Sequence, residues 1–134
     1  MRPSPVVAGI AIYAVDTERL VAFYRTLLGL VEVDRGPTFV TLAGSEEVGG
    51  ELSIVAIPEH IAAGIAIASP PVVQEDAAIK PVLLVDSLDA VVADVTRLGG
   101  GTQDPATAWS FRGLRRLDGF DPEGNVVQFA ERIG

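Results

Sequence analysis

The chain has 134 residues, a formal net charge of −8 and 49% hydrophobic residues, which together indicate a compact globular protein of one domain. It contains no cysteine and a single histidine, His60, which excludes disulfides, thiolate metal sites, cysteine nucleophiles and any site built on two imidazoles from one chain. The negative charge argues against nucleic acid as a partner, and the lack of a signal-peptide pattern or of an apolar run of ~20 residues predicts a cytoplasmic protein without a membrane partner.

The first predicted elements are a strand and an amphipathic helix. Residues 6–15 form an apolar run rich in β-branched side chains, which is typical of a buried strand. The helix follows in DTERLVAFYRTLLGL, where Asp16 is the predicted N-cap and Gly29 follows the last turn. Its apolar side chains recur at helical spacing, at Leu20, Phe23, Tyr24, Leu27 and Leu28.

Three short apolar runs after the helix predict three antiparallel strands. They are LVEV, TFVTLA and ELSIVAIP, and the turn signals DRGP and GSEEVGG separate them. The next stretch, residues 58–78, contains two adjacent prolines and has no clear period. We therefore predict that it links two halves of the domain.

The pattern of the first half then recurs. PVLLVDSLDAVVADVTRLGG, residues 81–100, predicts a strand, a Ser87 N-cap, an amphipathic helix and a glycine stop, and GTQDPATAWSF, GLRRLDGF and NVVQFAERI follow as strands. Two dipeptides recur at an offset of 70 residues, Val15-Asp16 as Val85-Asp86 and Leu28-Gly29 as Leu98-Gly99. The sequence therefore predicts two β-α-β-β-β modules, over about 6–57 and 79–133.

Three of these segments resemble the vicinal oxygen chelate superfamily, which includes glyoxalases, extradiol dioxygenases, fosfomycin-resistance enzymes and bleomycin-resistance proteins. They are VDTERLVAFYRTLLGL, similar to the opening helix of the superfamily, VDSLDAVVADVTRLGG, and DPEGNVVQF, similar to its Asp-Pro-Asp-Gly-Asn turn and the strand after it. The resemblance implies an α+β fold in which two βαβββ modules form a cup-shaped mixed sheet, with the ligand on the concave face.

The resemblance also identifies four positions where metal-dependent members place their ligands. In this chain the first position is Gly9, the strand-five position is Lys80 and the last-strand position is Gln128. The strand-four position has three candidates on one face of the strand, Glu51, Ser53 and Val55. One carboxylate with an amide is a poor site for zinc, iron or nickel, so we expect no metal and no other cofactor. His60 follows strand four, away from all of these positions.

Without a metal, the site is predicted to be a pocket lined by a few polar groups. Gln128 is expected to point inward, with Val127 and Phe129 facing the helices; a Gln bonded to neighbouring backbone is the alternative. Lys80 lies either inside the cup beside Gln128 or at the exposed start of strand five. The proline that follows Lys80 favours the exposed position.

Trp109 and Arg115 fit a Trp-x-x-x-Gly-x-Arg segment that resembles one carried by many metal-free members before strand seven. The indole is predicted to stack on a flat or cationic ligand, with core packing as the alternative. The cluster Arg112, Arg115 and Arg116 is predicted to pair with nearby acids on the surface, and contact of one of these arginines with an anionic ligand is the alternative. The predicted ligand-binding residues are Ser53, Trp109, Arg115 and Gln128.

The resemblance and the missing ligand set predict a metal-independent glyoxalase/bleomycin-resistance-like protein. It is expected to bind a small organic molecule in the cup without transforming it, with drug sequestration as one form of this function. The alternatives are a glyoxalase-like lyase or isomerase, a dioxygenase with an atypical metal site, and a partner-binding regulatory module. Members of the superfamily commonly pair as homodimers, so a homodimer is expected; whether the modules close one cup or swap between chains stays open.

Overall fold

The computed structural model describes residues 8–44 and 50–133, so residues 6 and 7 of the first predicted strand and residues 45–49 of the predicted turn lie outside the described residues. The first module contains β1 Gly9–Ala14, α1 Thr17–Leu28, β2 Val31–Gly36, β3 Phe39–Ala43 and β4 Glu51–Ala56. The second contains β5 Val82–Leu84, α3 Leu88–Arg97, β6 Gly101–Thr102, a 3-10 helix at Pro105–Thr107, β7 Trp109–Phe111, β8 Leu114–Phe120 and β9 Val126–Arg132. Between the modules lies one four-residue helix, α2 Glu59–Ala62. The predicted repeat is confirmed, but the single strand predicted for GTQDPATAWSF is wrong: Asp104 and Pro105 start a 3-10 helix there, which separates β6 from β7.

Helix α1 begins and ends where the local signals predict. The Asp16 carboxylate accepts a hydrogen bond from the Arg19 backbone N–H at 3.1 Å, which satisfies one of the free donors of the first turn. Gly29 follows the helix at φ 62°, in the left-handed region that favours glycine. The buried face of the helix consists of Leu20, Val21, Phe23 and Tyr24.

Helix α3 in the second module begins and ends with the same kinds of capping residue as α1. Ser87 Oγ accepts a hydrogen bond from the Ala90 N–H at 3.2 Å, and Gly99 follows the last turn at φ 95°. The helix buries Leu88, Val91 and Val95. The glycine run after α3 therefore ends a helix and leads into β6, as a C-terminal signal predicts.

Each module builds one mixed sheet, and the strand order is the same in both. Sheet one has the order β1-β4-β3-β2, with β1 and β4 parallel and the other pairs antiparallel. Sheet two has the order β5-β9-β8-β6, with β5 and β9 parallel, and β7 pairs with β8 outside this path. Strands β2, β3 and β4 after α1 are therefore antiparallel neighbours, as predicted, and so are β6, β8 and β9 after α3.

A helix covers one face of each sheet and leaves the other face open. The core contains strand residues that alternate with the open face, among them Val40, Leu42, Leu52, Ile54, Leu83, Leu117, Val127 and Phe129. The open face of sheet one carries Gly9, Ala11, Tyr13, Phe39, Thr41, Glu51, Ser53 and Val55. The open face of sheet two carries Val82, Leu84, Trp109, Phe111, Arg116, Asp118, Gln128 and Ala130.

The Asp-Pro-Glu-Gly-Asn turn, residues 121–125, joins the second module to the first. The Glu123 carboxylate accepts hydrogen bonds from the backbone N–H groups of Val15 and Asp16, each at 2.8 Å. Asp121 and Glu123 are 0% and 7% exposed, so a turn with a polar sequence is buried between the modules. Carboxylates satisfied by N–H donors make this burial possible, because an unpaired buried charge would be strongly destabilising.

The connection between the modules, residues 57–81, contains no strand and packs on the same turn. The Gln74 N–H donates to the Gly124 carbonyl oxygen at 2.9 Å. Gly124 adopts φ 85°, and a β-carbon there would meet the Val72 carbonyl oxygen, so two features of the fold require glycine. Among the described residues, no helix is long and apolar enough to cross a membrane.

Candidate functional site

Four polar side chains form a continuous hydrogen-bonded row on the open face of sheet two. Lys80 Nζ donates to Asp118 Oδ2 at 2.6 Å. Asp118 Oδ1 in turn accepts from Gln128 Nε2 at 3.1 Å, and Gln128 Oε1 accepts from Arg116 Nη1 at 3.0 Å. We call Lys80, Asp118, Gln128 and Arg116 the polar row. It alternates a cation, an anion, a neutral amide and a second cation.

Strand register explains why these residues meet. Asp118 on β8 lies directly opposite Gln128 on β9, so both side chains leave the same face of the sheet. Arg116 lies two residues before Asp118 on the same strand and therefore shares this face. Lys80 lies two residues before Val82, which is the partner of Gln128 on β5. Strands β8 and β9, together with the segment just before β5, thus place the four side chains of the row next to one another.

Gln128 is the central member of the row and is 8% exposed. Its inward direction was predicted, and its neighbours Val127 and Phe129 belong to the core as expected. Side chains, rather than neighbouring backbone, satisfy both ends of its amide. Because donor and acceptor are both used, the Gln128 amide is held in one orientation between Asp118 and Arg116.

Two exposed aromatic side chains stand beside the Arg116 end of the row. Trp109 is the register partner of Arg116 across β7 and β8 and is 41% exposed. Phe111 is 58% exposed, and its ring centroid lies 5.2 Å from Arg116 Cζ. Trp109 is therefore not packed in the core, which was the alternative to ligand contact. Strand β7 therefore adds an aromatic wall to the polar row.

A tight hairpin positions this wall. Arg112 and Gly113 connect β7 to β8 with φ values of 52° and 74°, the positive pair that a two-residue type I′ turn requires. Arg112 is the one non-glycine residue with positive φ among the described residues. The Arg116 Nε also donates to the Phe111 carbonyl oxygen at 3.3 Å, which ties the guanidinium to β7.

Arg115 and Ser53, two of the predicted ligand-binding residues, lie away from the polar row. Arg115 is the register partner of Glu131, on the face of sheet two that α3 covers, so Arg116 takes the position that was predicted for Arg115. Ser53 lies on the open face of sheet one, where its Oγ is 2.8 Å from Thr41 Oγ1. The chain thus brings Trp109 and Gln128 together but places Arg115 and Ser53 elsewhere.

Asp118 and Arg116 are the residues of the row that sequence reasoning did not select. Asp118 does not belong to any sequence motif, and its partner Lys80 lies 38 residues away along the chain. Arg116 was a member of the arginine cluster, but alternation alone does not say which of two adjacent arginines faces inward. The β8–β9 register decides this, because it places Asp118 opposite Gln128.

Two open grooves lie on this side of the molecule, and the first of them contains residues of the polar row. One of about 310 Å³ lies at the Lys80 end of the row and is lined by Val73, Glu75, Lys80, Gln103, Asp118, Gly119, Phe120 and Val126. A second, of about 340 Å³, lies between β1 and β5 and has Gly9 and Glu51 on one side and Val82 and Leu84 on the other. The second groove brings residues of both open faces together, at the place where the two modules meet.

The donor set does not fit a divalent metal ion. Within residues 8–44 and 50–133, no three Asp, Glu or His side chains lie close enough together to hold one. Lys80 contributes a positive charge that pairs with Asp118, and the amide oxygen of Gln128 accepts a hydrogen bond from Arg116. A metal ion at these positions would have to displace both contacts, and the site offers no imidazole. His60, the single histidine, is exposed on α2.

Glycine at the first expected ligand position has a steric cause. Gly9 pairs with Glu51 across β1 and β4, and a β-carbon at Gly9 would meet the Glu51 carbonyl oxygen. Glu51, Ser53 and Val55 do share the open face, as predicted, because Leu52 and Ile54 between them belong to the core. The backbone itself therefore excludes a ligand side chain at the start of β1.

Sequence comparison assigns nearly the whole chain to one family model. Residues 9–130 match the model described as a glyoxalase-like domain. No curated protein matches the chain at a significant level.

Solved structures share the fold at low sequence identity. A glyoxalase/bleomycin resistance protein/dioxygenase family enzyme from Burkholderia phytofirmans PsJN is 17% identical, with a TM-score of 0.66 over 94% of this chain and 98% of that one. The bleomycin-binding protein of Streptomyces verticillus, solved with copper(II)-bleomycin, is 18% identical, with a TM-score of 0.58 over 98% and 100%. A mutant of the fosfomycin resistance protein FosX from Listeria monocytogenes, solved with Mn(II) and 1S,2S-dihydroxypropylphosphonic acid, is 13% identical, with a TM-score of 0.66 over 98% and 93%. At these identities the likeness concerns the fold alone.

Proposed function

The chain belongs to the glyoxalase-like domain family of the vicinal oxygen chelate superfamily, and from this premise we propose that it binds a small organic ligand on the open face of sheet two without a metal ion. The observation that carries the proposal is the polar row. Its four side chains are ordered by their own hydrogen bonds before any ligand arrives, so binding requires little further loss of side-chain entropy.

The surroundings of the row supply the apolar contacts that a ligand site needs. Val82 and Leu84 on β5 flank it on one side, and Trp109 and Phe111 on β7 flank it on the other; all four side chains are exposed. Ligand sites combine apolar walls with a few fixed polar groups that set orientation. An exposed apolar surface around an ordered polar row is this combination.

Metal independence is supported by the residues at the expected ligand positions. Gly9 has no side chain and no room for one, Lys80 is a cation held by Asp118, and Gln128 is bonded at both ends of its amide. The polar row therefore supplies internally the ordering that a metal ion would supply in a metal-dependent relative.

We propose further that two copies of the chain associate and that the second copy completes the ligand cavity. In a single chain the open faces expose large apolar side chains, namely Tyr13, Val82, Leu84, Trp109 and Phe111. Exposed apolar surface of this kind marks an interface or a ligand site, and homodimers with twofold symmetry are the commonest way to cover it. Sedimentation is expected to give a dimer, and a monomer at all accessible concentrations would contradict this part of the proposal.

Sequestration of a drug is the form of this function to test first. The bleomycin-binding protein of Streptomyces verticillus, which has this fold, was solved with copper(II)-bleomycin. In the polar row the one carboxylate, Asp118, is engaged with Lys80 and Gln128, which leaves it poorly placed to act as a general base. Binding without turnover is consistent with such a set of groups.

The experiment uses Trp109, the only tryptophan of the chain, as its reporter. Titration with bleomycin is expected to change the Trp109 fluorescence, and Gln128→Leu, which breaks the row, is expected to weaken binding by about tenfold or more. Gln74→Leu, in the connection between the modules, is the matched control and should bind as the parent does. Metal analysis of the purified protein is carried out alongside. Retention of stoichiometric nickel, zinc, iron or manganese would show that metal independence is wrong.

A further inference from the structure

The guanidinium of Arg116 forms no ion pair with a carboxylate of the described residues, 8–44 and 50–133. Its Nη1 and Nε donate to neutral acceptors, the amide oxygen of Gln128 and the backbone carbonyl of Phe111. Within residues 8–44 and 50–133, the ion pairs involve other cations, namely Arg35, Lys80 and Arg97. Arg116 is therefore a fixed, partly buried cation without an ionic partner in the part of the chain that the structure describes.

Lys80, the other cation of the row, is in the opposite situation. Its ammonium is 2.6 Å from the Asp118 carboxylate, so these two charges compensate each other. Two cations and one carboxylate leave the row with one positive charge in excess, although the whole chain carries −8. This local excess lies at the Arg116 end, and an anion placed there would be attracted to it.

The free part of the guanidinium has the geometry that recognises a carboxylate. Nη2 makes no hydrogen bond to the described residues, whereas Nε and Nη1 are both engaged. Arginine presents its N–H groups in a planar fork, and with Nε and one N–H of Nη1 already bonded, a carboxylate can accept hydrogen bonds from Nη2 and from the remaining N–H of Nη1. Because Gln128 and Phe111 already hold the side chain in place, a ligand would meet the fork without having to order it.

Apolar and aromatic surface lies directly beside this fork. Trp109 is the register partner of Arg116 on one side, and Leu84 lies beyond Ala130 in the same row of residues across the sheet. The Phe111 ring lies 5.2 Å from Arg116 Cζ. Exposed rings at this distance can stack against a flat group attached to the anion. An aliphatic or strongly hydrated anion would leave these rings unused.

We propose that the ligand of this face is a flat organic anion of the aromatic carboxylate class, whose carboxylate binds the free N–H groups of Arg116 and whose ring stacks against Trp109 and Phe111. The inference rests on the proposed function, since it names the ligand class of the same site. An anionic ligand differs in charge from a neutral or cationic one, so these classes can be told apart by experiment.

The test follows the indole N–H resonance of Trp109 in nitrogen-15 NMR spectra of the intact protein. The probes are benzoate, benzamide and benzamidine, which share one ring and carry a negative, zero and positive charge. Benzoate is expected to shift the resonance and to saturate, with benzamide weaker by roughly tenfold to a hundredfold because the charge-assisted hydrogen bonds are lost. Benzamidine is expected to bind more weakly still.

Two variants separate the role of Arg116 from that of nearby positive charge. Arg116→Gln is expected to abolish the preference for benzoate over benzamide, and Arg116→Lys, which keeps the charge but not the planar fork, to retain only part of it. Arg115→Gln, which removes the neighbouring charge on the face covered by α3, is expected to retain the full preference. The dispersion of the amide spectrum shows whether each variant is folded.

The outcomes distinguish this inference from the function on which it rests. Equal affinity for the three probes would overturn the anion preference and leave ligand binding on this face intact. Tighter binding of benzamidine would assign the face to cations. Equal losses in Arg115→Gln and Arg116→Gln would overturn the assignment to Arg116. If no probe moves the indole resonance, the inference fails, and the bleomycin titration then decides on its own whether the proposed function also fails.

Discussion

Tyr24 and Asp121 share a buried hydrogen bond of 2.6 Å that joins the helix of the first module to the turn of the second. Both residues are fully buried. Asp121 also accepts hydrogen bonds from the backbone N–H groups of Glu123 and Asn125, at 2.9 and 3.1 Å, and from the Asn125 side chain. The carboxylate is thus surrounded by donors, and Tyr24 is the donor that comes from the other module.

Replacing Tyr24 with Phe is expected to destabilise the protein. The change removes one donor from a buried carboxylate while keeping the ring, so the expected loss is ~1–3 kcal/mol in the free energy of unfolding. Urea denaturation followed by circular dichroism measures it. Tyr13→Phe is the control, since Tyr13 is 61% exposed and the change there should be close to neutral. Equal effects of the two substitutions would contradict a special role for the Tyr24 hydroxyl.

Because the Tyr24 hydroxyl is buried, we expect the folded state to lose stability in alkaline solution. Burial raises the pKa of Tyr24 well above its ordinary value of 10.0, and the negative charge of Asp121 raises this pKa further. As the pH rises above that ordinary value, the unfolded chain loses the tyrosine proton while the folded protein keeps it. The unfolded state then binds fewer protons, so stability is full below the ordinary pKa and falls as the pH increases above it.

Urea denaturation at a series of pH values, from roughly pH 8 to 11, checks this expectation. The parent protein should lose stability more steeply than Tyr24→Phe above the ordinary pKa of tyrosine, because the variant has no proton to lose at that position. The difference between the two curves isolates Tyr24 from the lysine and the other tyrosine. Parallel curves would show that Tyr24 does not carry the effect.

Replacing Arg112 with asparagine is expected to stabilise the protein. It adopts φ 52° in the two-residue turn before Gly113, a conformation that costs an L side chain about 1 kcal/mol and that asparagine tolerates better. Arg112→Asn should therefore raise the free energy of unfolding by roughly 0.5–1 kcal/mol. Arg112→Lys, which keeps an ordinary side chain at the same φ, is the control and should leave stability unchanged. A loss of stability in Arg112→Asn would mean that the arginine side chain makes a favourable contact.

Gly9→Ala is expected to be destabilising although it adds only one methyl group. The added β-carbon would meet the Glu51 carbonyl oxygen, so β1 and β4 would have to move apart, at a cost of about 1–3 kcal/mol. Gly64→Ala is the matched control, because the nearest atom to its new β-carbon is the Ile61 carbonyl oxygen at an ordinary 3.6 Å. Thermal unfolding of the two variants compares them directly. A stable Gly9→Ala protein would show that β1 can accept a ligand side chain after all.

Local structure could be predicted from the sequence because its causes lie close together along the chain. The N-cap of Asp16 depends on a donor three residues later, and Gly29 ends the helix through its own backbone freedom. The inward direction of Gln128 follows from strand alternation after the turn. The presence of a single histidine, His60, already excluded a site with two imidazoles from one chain.

Local sequence signals could not predict whether Arg115 or Arg116 lies on the open face of sheet two. Adjacent residues on a strand point to opposite faces, so one of the two had to lie on the open face, and the Trp-x-x-x-Gly-x-Arg resemblance favoured Arg115. The register of β8 against β9 decides for Arg116, because it sets Asp118 opposite Gln128. Register is a property of two paired strands, and neither strand alone contains it.

The sequence by itself determined two β-α-β-β-β modules, their helix ends and the poor set of metal donors, because hydrophobic period, capping and residue type are local properties. Only the tertiary structure decided that Lys80 and Asp118, 38 residues apart, would pair on the open face of sheet two, and that Tyr24 and Asp121, 97 residues apart, would bury the polar turn between the modules. Ion pairs and buried hydrogen bonds depend on distances in space between groups that are remote in sequence, and folding alone sets those distances.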